Sequence, residues 1–257
     1  MVAAGSEQRV ERILDAAADL MLRWGYKRVT IEEVAKHAGI GKGTVYLHFT
    51  TRGSLFMSVL VRESVSLVHE LIEAIRADPV AMLPAEQAEA NYLAVMRRPL
   101  LRAMFSRDFE VLGDLADEAA GSPLRAMKLV LAEELFQLWR EHGLLRTDLD
   151  IDTQNYILNA TQTGFYLSGS IGGREPLPHA AAALAHTVRQ ALHHPGTPDP
   201  EVLAALAPKV ISMYEQFAAT LAEAARGDGP RGLGARKASP KPAGADDTGR
   251  TGSWGRP

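Results

Sequence analysis

The sequence predicts an all-α protein: an N-terminal three-helix bundle carrying a helix-turn-helix, followed by a larger helical body. Three observations carry that expectation. Apolar residues recur at helical spacing in segment after segment, and no segment sustains the two-residue alternation of a strand. Residues 30–55, TIEEVAKHAGIGKGTVYLHFTTRGSL, hold two short helical patterns joined through a glycine. A hydrophobic content of 46% is enough to fill the core of one large domain or two modest ones.

The first helix is expected over 6–24, where Val10, Ile13, Leu14, Ala17, Leu20, Met21 and Trp24 form one apolar stripe. Thr30 and Glu33 have the spacing of a capping box, in which hydroxyl and carboxylate each satisfy an orphan backbone N–H. Ile31, Val34, Ala35 and Ala38 then predict a helix over 31–37. Gly39 stands where positive φ lets the chain turn sharply, and Ile40 can plug the corner. A second short helix over 41–47 places Gly41, Lys42, Gly43, Thr44 and Tyr46 on a polar side, with Val45 and Leu47 for packing. Helix, glycine turn, helix is the arrangement that sets its second helix in a DNA major groove.

The residue types suit that task. Gly41 and Gly43 allow close approach to a groove. Lys42 offers a charged donor to phosphate or to a guanine edge, and Thr44 a hydroxyl and a methyl for a base edge. Tyr46 and His48 can donate to phosphate oxygens, and the helix start at Thr30 adds backbone N–H groups for another phosphate.

The run Ser6–Leu55 resembles the DNA-binding domain of tetracycline-repressor (TetR) family regulators. The resemblance rests on Trp24-Gly25-Tyr26, on Val29-Thr30-Ile31-Glu32-Glu33-Val34-Ala35, on Ala38-Gly39-Ile40-Gly41-Lys42-Gly43-Thr44-Val45-Tyr46, and on Phe49. It implies a homodimer that binds double-stranded DNA at a palindromic operator, and a second helical domain that binds a small-molecule effector and dimerises. The sequence departs from the family at Thr51-Arg52-Gly53-Ser54-Leu55, where a Ser-Lys-acidic-x-Leu pattern is usual. Arg52 can replace the lysine as a phosphate contact, while Gly53 loosens a first helical turn and leaves the start of the fourth helix at 51 or 54.

The domains expected are therefore 1–55 for DNA, 56–226 for effector and dimerisation, and a disordered tail over 227–257, rich in Gly, Pro and charge. The fourth helix runs to 76, long enough to leave the DNA-binding unit and link it to the body. Further helices are expected at 84–97, 100–119 with a break near 106–109, 122–142, from Asp150 or Asp152 to 168, 179–193, and 200–225 with Pro208 inside. Gly169–Pro178 reads as a loop. Residues 152–168 and 208–225 are the expected dimer helices, with 179–193 as the alternative.

Met104, Phe105, Phe109, Met127, Phe136 and Trp139 gather on neighbouring helices. Taken singly each reads as ordinary core; as a set, beside the resemblance, they read as the lining of an effector cavity. Asn159, Gln162 and Tyr166 share a face of an unusually polar helix and can serve a ligand as anchors, or form a polar seam between subunits. The function expected is a repressor released from its operator by a small molecule; the alternative is a DNA-binding or architectural protein with no effector.

Charge is uneven. Residues 1–55 carry eight Lys+Arg against six Asp+Glu, residues 56–225 thirteen against twenty-two, and residues 226–257 seven against three. A mildly basic head on an acidic body suits a protein that touches DNA at one end. The acidic body hints at a cationic ligand, or serves solubility alone. The chain has no cysteine, which excludes disulfides and cysteine-ligated zinc. Gly169-Ser170-Ile171-Gly172-Gly173 lacks the Lys-Ser/Thr of a phosphate loop, and the adjacent His193 and His194 point apart on a helix. No enzyme, cofactor or metal site is expected. With no apolar run of signal-peptide or membrane-span length, the expectation is a cytoplasmic protein without a membrane partner.

Overall fold

A computed structural model of the chain describes residues 2–115, 123–172 and 178–226. The N-terminal unit consists of α1 (Val2–Trp24), a 3-10 turn (Tyr26–Arg28), α2 (Ile31–His37), α3 (Lys42–His48) and the first half of α4 (Arg52–Ala77). Its core is built from the α1 stripe Ile13, Leu14, Ala17, Leu20 and Met21, closed by Val34, Val45, Phe49, Leu55 and Phe56. The Tyr26 and Phe56 rings meet edge to face at 5.3 Å, which locks the turn after α1 onto α4.

Helix α4 starts at Arg52 despite Gly53 in its first turn. Thr51 Oγ1 accepts from the Ser54 N–H at 2.9 Å and Ser54 Oγ accepts from the Thr51 N–H at 3.1 Å. Ser54 thus performs the N3 role that an acidic residue would otherwise fill.

The body follows: α5 (Pro84–Met96), α6 (Pro99–Ser106), α7 (Phe109–Leu112), α8 (Pro123–Glu141), α9 (Ile151–Gly172), α10 (Ala180–Leu192) and α11 (Pro200–Arg226). Its core joins the second half of α4, through Leu67, Val68, Leu71, Ile72 and Ile75, to α5, α8, α10 and α11. Helix α11 lies along α4, and α10 lies along α5. The break expected near 106–109 is real: Arg107 ends α6 at φ 52, and Asp108 Oδ1 caps α7. Asp150 rather than Asp152 caps α9, accepting from the Thr153 N–H at 2.7 Å. At the corner between α8 and α9 the fully buried Gln154 is satisfied on both sides, by Arg140 and by the Arg146 carbonyl.

Several expectations shift. Trp24 leaves the α1 stripe and is 46% exposed, because the chain turns away at Gly25. Helix α9 continues through Gly172, so the loop expected from Gly169 begins later. Pro208 sits inside a continuous α11. The one non-helical pairing among the described residues is a single bridge, Leu145 with His193. The tail 227–257 lies outside the described residues. No helix among the described residues is long and apolar enough to cross a membrane.

Close contacts hold α1, α4 and α7 together with little tolerance. Gly25 has φ 75 and ψ 153, a region open only to glycine, and a Cβ there would stand 2.4 Å from the Glu110 carbonyl oxygen at α7. On α4, Arg62 donates to Glu11 at 3.0 Å and Asp15 at 2.7 Å of α1, while Arg98 reaches Glu70 at 2.8 Å. Replacement Gly25→Ala should therefore destabilise the fold by on the order of 2–4 kcal/mol, strain plus overlap, read as a lowered denaturant midpoint.

At the end of α10, His193 Nε2 accepts the Ala85 N–H at 3.2 Å, which only a neutral imidazole can do. Burial depresses its pKa below 6.5, with Arg189 acting in the same direction and Glu86 against it. Below that value the unfolded chain takes up the proton first, so stability is intact above it and falls as pH drops toward the folded-state pKa. Thermal midpoints measured from about pH 7.5 to about pH 5.5 should fall, and His193→Gln should flatten that fall.

Candidate nucleic-acid interface and interior cavity

Thr30 caps α2 as its sequence implies: its N–H donates to Glu33 Oε2 at 2.8 Å and its Oγ1 accepts from the Glu33 N–H at 3.3 Å. Gly39 turns the chain at φ 66, and the Ile40 N–H returns to the Ala35 carbonyl at 3.0 Å. Helix α3 then projects from the unit with only Val45 buried. Tyr46 is 44% exposed and Leu47 82%, so Leu47 packs against nothing, contrary to expectation. A Cβ at Gly43 would meet no atom within 4 Å. The protein's own packing does not require that glycine.

The cations on this face are not all alike. Lys42 holds Glu32 of α2 in an ion pair and lies 5.7 Å from the Tyr46 ring centre. That bond to Glu32 raises the Lys42 pKa and lowers the Glu32 pKa, so both are charged at neutral pH. Arg52 turns inward. Its Nη1 donates to the carbonyls of Tyr26 at 3.0 Å and Val29 at 3.3 Å, and its guanidinium stacks 4.1 Å from the Tyr26 ring centre. Where the sequence suggested a phosphate contact, the structure has a clamp that fixes the turn between α1 and α2. His48 closes α3, half-buried beside Phe49.

The body holds a cavity of about 460 Å³, open to solvent, between α4, α6, α8, α9 and α11. Met104, Phe105, Phe109, Phe136, Trp139, Asn159 and Gln162 line it. Met127 and Tyr166 do not. Tyr166 is buried behind the wall, stacked on Tyr92 at 5.5 Å and donating to Asn91 Oδ1 at 2.8 Å, and burial raises its pKa. Tyr214, which does line the cavity, donates to Gln87 Oε1 at 3.1 Å. Trp139 leaves its buried Nε1–H without an acceptor.

The family model described as "Bacterial regulatory proteins, tetR family" matches residues 13–59, which span most of α1, the helix-turn-helix and the start of α4. Residues 13–59 thus carry a DNA-binding segment like that of tetR-family regulators. The chain is 27% identical over 194 residues to the HTH-type transcriptional repressor BepR of Brucella suis, covering 72% of this chain and 92% of that protein. It is 25% identical over 236 residues to the A-factor receptor protein of Streptomyces griseus, covering 86% of this chain and 79% of that one. Among solved structures, Bacillus subtilis FadR in complex with stearoyl-CoA shares the fold at a TM-score of 0.56 and 15% identity, over 71% of this chain and 99% of that one.

In the body, sequence reasoning missed the share that α4 and α11 take in the cavity, through Leu67, Val68, Leu71, Phe217 and Leu221. The available signal was the width of the α4 stripe, which has more apolar residues than one face can bury. Leu47 was also missed as a surface residue. An apolar side chain on a groove-reading helix can contact a thymine methyl.

Substituting Lys42→Ala should weaken DNA binding roughly tenfold and make the dependence of log affinity on log salt shallower by about one per subunit. Glu32→Gln, which removes a carboxylate beside the phosphates, should strengthen it. Fluorescence anisotropy across a salt series measures both.

Proposed function

We propose that the protein is a repressor that binds a palindromic operator as a homodimer and leaves it when a small molecule occupies the cavity of the body. The observation that carries this reading is the double membership of one helix. Met57 and Leu60 of α4 belong to the core of the DNA-binding unit and also line the cavity. A ligand that displaces the cavity wall therefore acts directly on the helix that supports α3. The protein needs two discrete arrangements of α4 and a ligand with different affinity for each.

A single recognition helix covers too few base pairs for selectivity, so two copies must read half-sites about 34–36 Å apart. The DNA contacts assigned to this reading are Gly41, Lys42, Gly43, Thr44 and Tyr46, with His48 and the α2 N-terminus at Thr30 on flanking phosphates; Arg52 acts through its clamp. On α9, Tyr156 is 74% exposed, and on α8 Val130 is 56% exposed. These support pairing through α8 and α9. The names of relatives support repression: BepR of Brucella suis and KstR of Rhodococcus jostii are both transcriptional repressors. Work on an operator places the protein in the cytoplasm. The cavity counts against the reading without an effector, which needs a filled body.

The test is selection of binding sites from random duplex DNA, with binding of the neutral dye Nile red measured in parallel. Selected sites should share an inverted repeat with half-sites about one helical turn or a multiple apart, and the dye should bind the body. Enrichment of no palindrome would overturn the operator reading; a body that excludes the dye would overturn the effector reading.

A further inference from the structure

The cavity wall is mixed in polarity but one-sided in charge. Among the described residues it holds no aspartate, glutamate or histidine, although the segment 56–225 carries twenty-two acidic residues against thirteen basic ones. It does hold two cations, Arg107 and Lys128. Elsewhere on the body, Arg76, Arg97, Arg98, Arg146 and Arg189 each hold a carboxylate. Neither Arg107 nor Lys128 has such a partner among the described residues.

These two cations come from different elements, and one of them stands over an aromatic ring. Lys128 of α8 lies with its Nζ 5.1 Å from the centre of the Phe105 ring. Phe105 is on α6, two residues before Arg107, which ends that helix in the left-handed conformation at φ 52. A non-glycine residue there carries backbone strain, the kind that persists where the surroundings or a function hold it. The Lys128 side chain is accessible at the cavity, yet the protein around it penalises its ammonium and lowers its pKa below the ordinary lysine value. A phenyl face offsets that penalty only in part, and an anion would offset it better. From this end the wall runs into apolar surface, through Leu60, Leu67, Val68, Phe217 and Leu221.

Building on the effector reading, we propose that the cavity selects an amphipathic carboxylate, with its head at Lys128 and Arg107 and its apolar tail along α4 and α11. The acidic surface of the body does not enter this choice, since no carboxylate among the described residues lines the wall. A cationic ligand meets two like charges and no counter-charge. A neutral ligand of the same shape binds but leaves both cations unpaired.

The test compares dodecanoate, dodecan-1-ol and dodecylamine by titration calorimetry against the full chain, each below its micellar concentration. Dodecanoate should bind roughly tenfold or more tightly than the alcohol, with the amine weakest, as expected for a charge-assisted hydrogen bond in a partly desolvated site. Lys128→Gln should bring dodecanoate close to the alcohol, and Lys128→Glu should reverse the order of acid and amine. Equal binding of acid and alcohol, or preference for the amine, overturns the charge assignment while leaving the cavity as an effector site. Failure of all three to bind, with Nile red also excluded, overturns the effector reading and the charge assignment together. An acid preference that survives both substitutions and Arg107→Gln overturns the assignment to these residues.

Discussion

Everything in this molecule depends on the burial of α4 in two cores at once. Leu55, Phe56 and Val59 are held by α1 and the helix-turn-helix, whereas Leu67, Val68, Leu71, Ile72 and Ile75 are held by the body. Each half buries enough apolar surface, at about 25 cal/mol per Å², that neither can detach without exposing several large side chains. The helix therefore cannot move at one end and stay still at the other, unless it bends. Close packing makes such a link nearly incompressible, so a small shift in the cavity wall arrives at the DNA-binding unit as a shift and is not absorbed by slack.

Much of the N-terminal unit was legible because its signals are local. The capping box at Thr30 and Glu33, the turn at Gly39 and the α1 stripe each depend on residues within a few positions of one another, and each forms as its spacing implies. The body was legible as helices but less so as a site. Met104, Phe105, Phe136 and Trp139 line the cavity, yet Met127, on the same helix as Phe136 and Trp139, does not. Which face of α8 turns inward is decided by packing against α9 and α11, a long-range matter that spacing alone cannot express. Arg52 shows the same limit. Its charge suggested a phosphate, but two carbonyls and a tyrosine ring were closer. Net charge likewise says nothing of where carboxylates point.

The recognition face has its own economy of contacts. Lys42 is already engaged with Glu32, so on the proposed operator reading meeting DNA exchanges one anion for another and does not order a free side chain. The entropy of holding the lysine is spent on folding, before the duplex arrives. Leu47 has no such arrangement and stands bare in water.

The contact between Gly25 and the Glu110 carbonyl sets main chain against main chain, with no side chain between. A rotamer can swing aside under load; a peptide plane cannot. Motion of the short helix α7 therefore reaches the end of α1 undamped, along a second route that bypasses the long helix altogether. Two stiff linkages attached at separate points of the same small bundle constrain its tilt as well as its position, so the reading head is steered and not simply pulled.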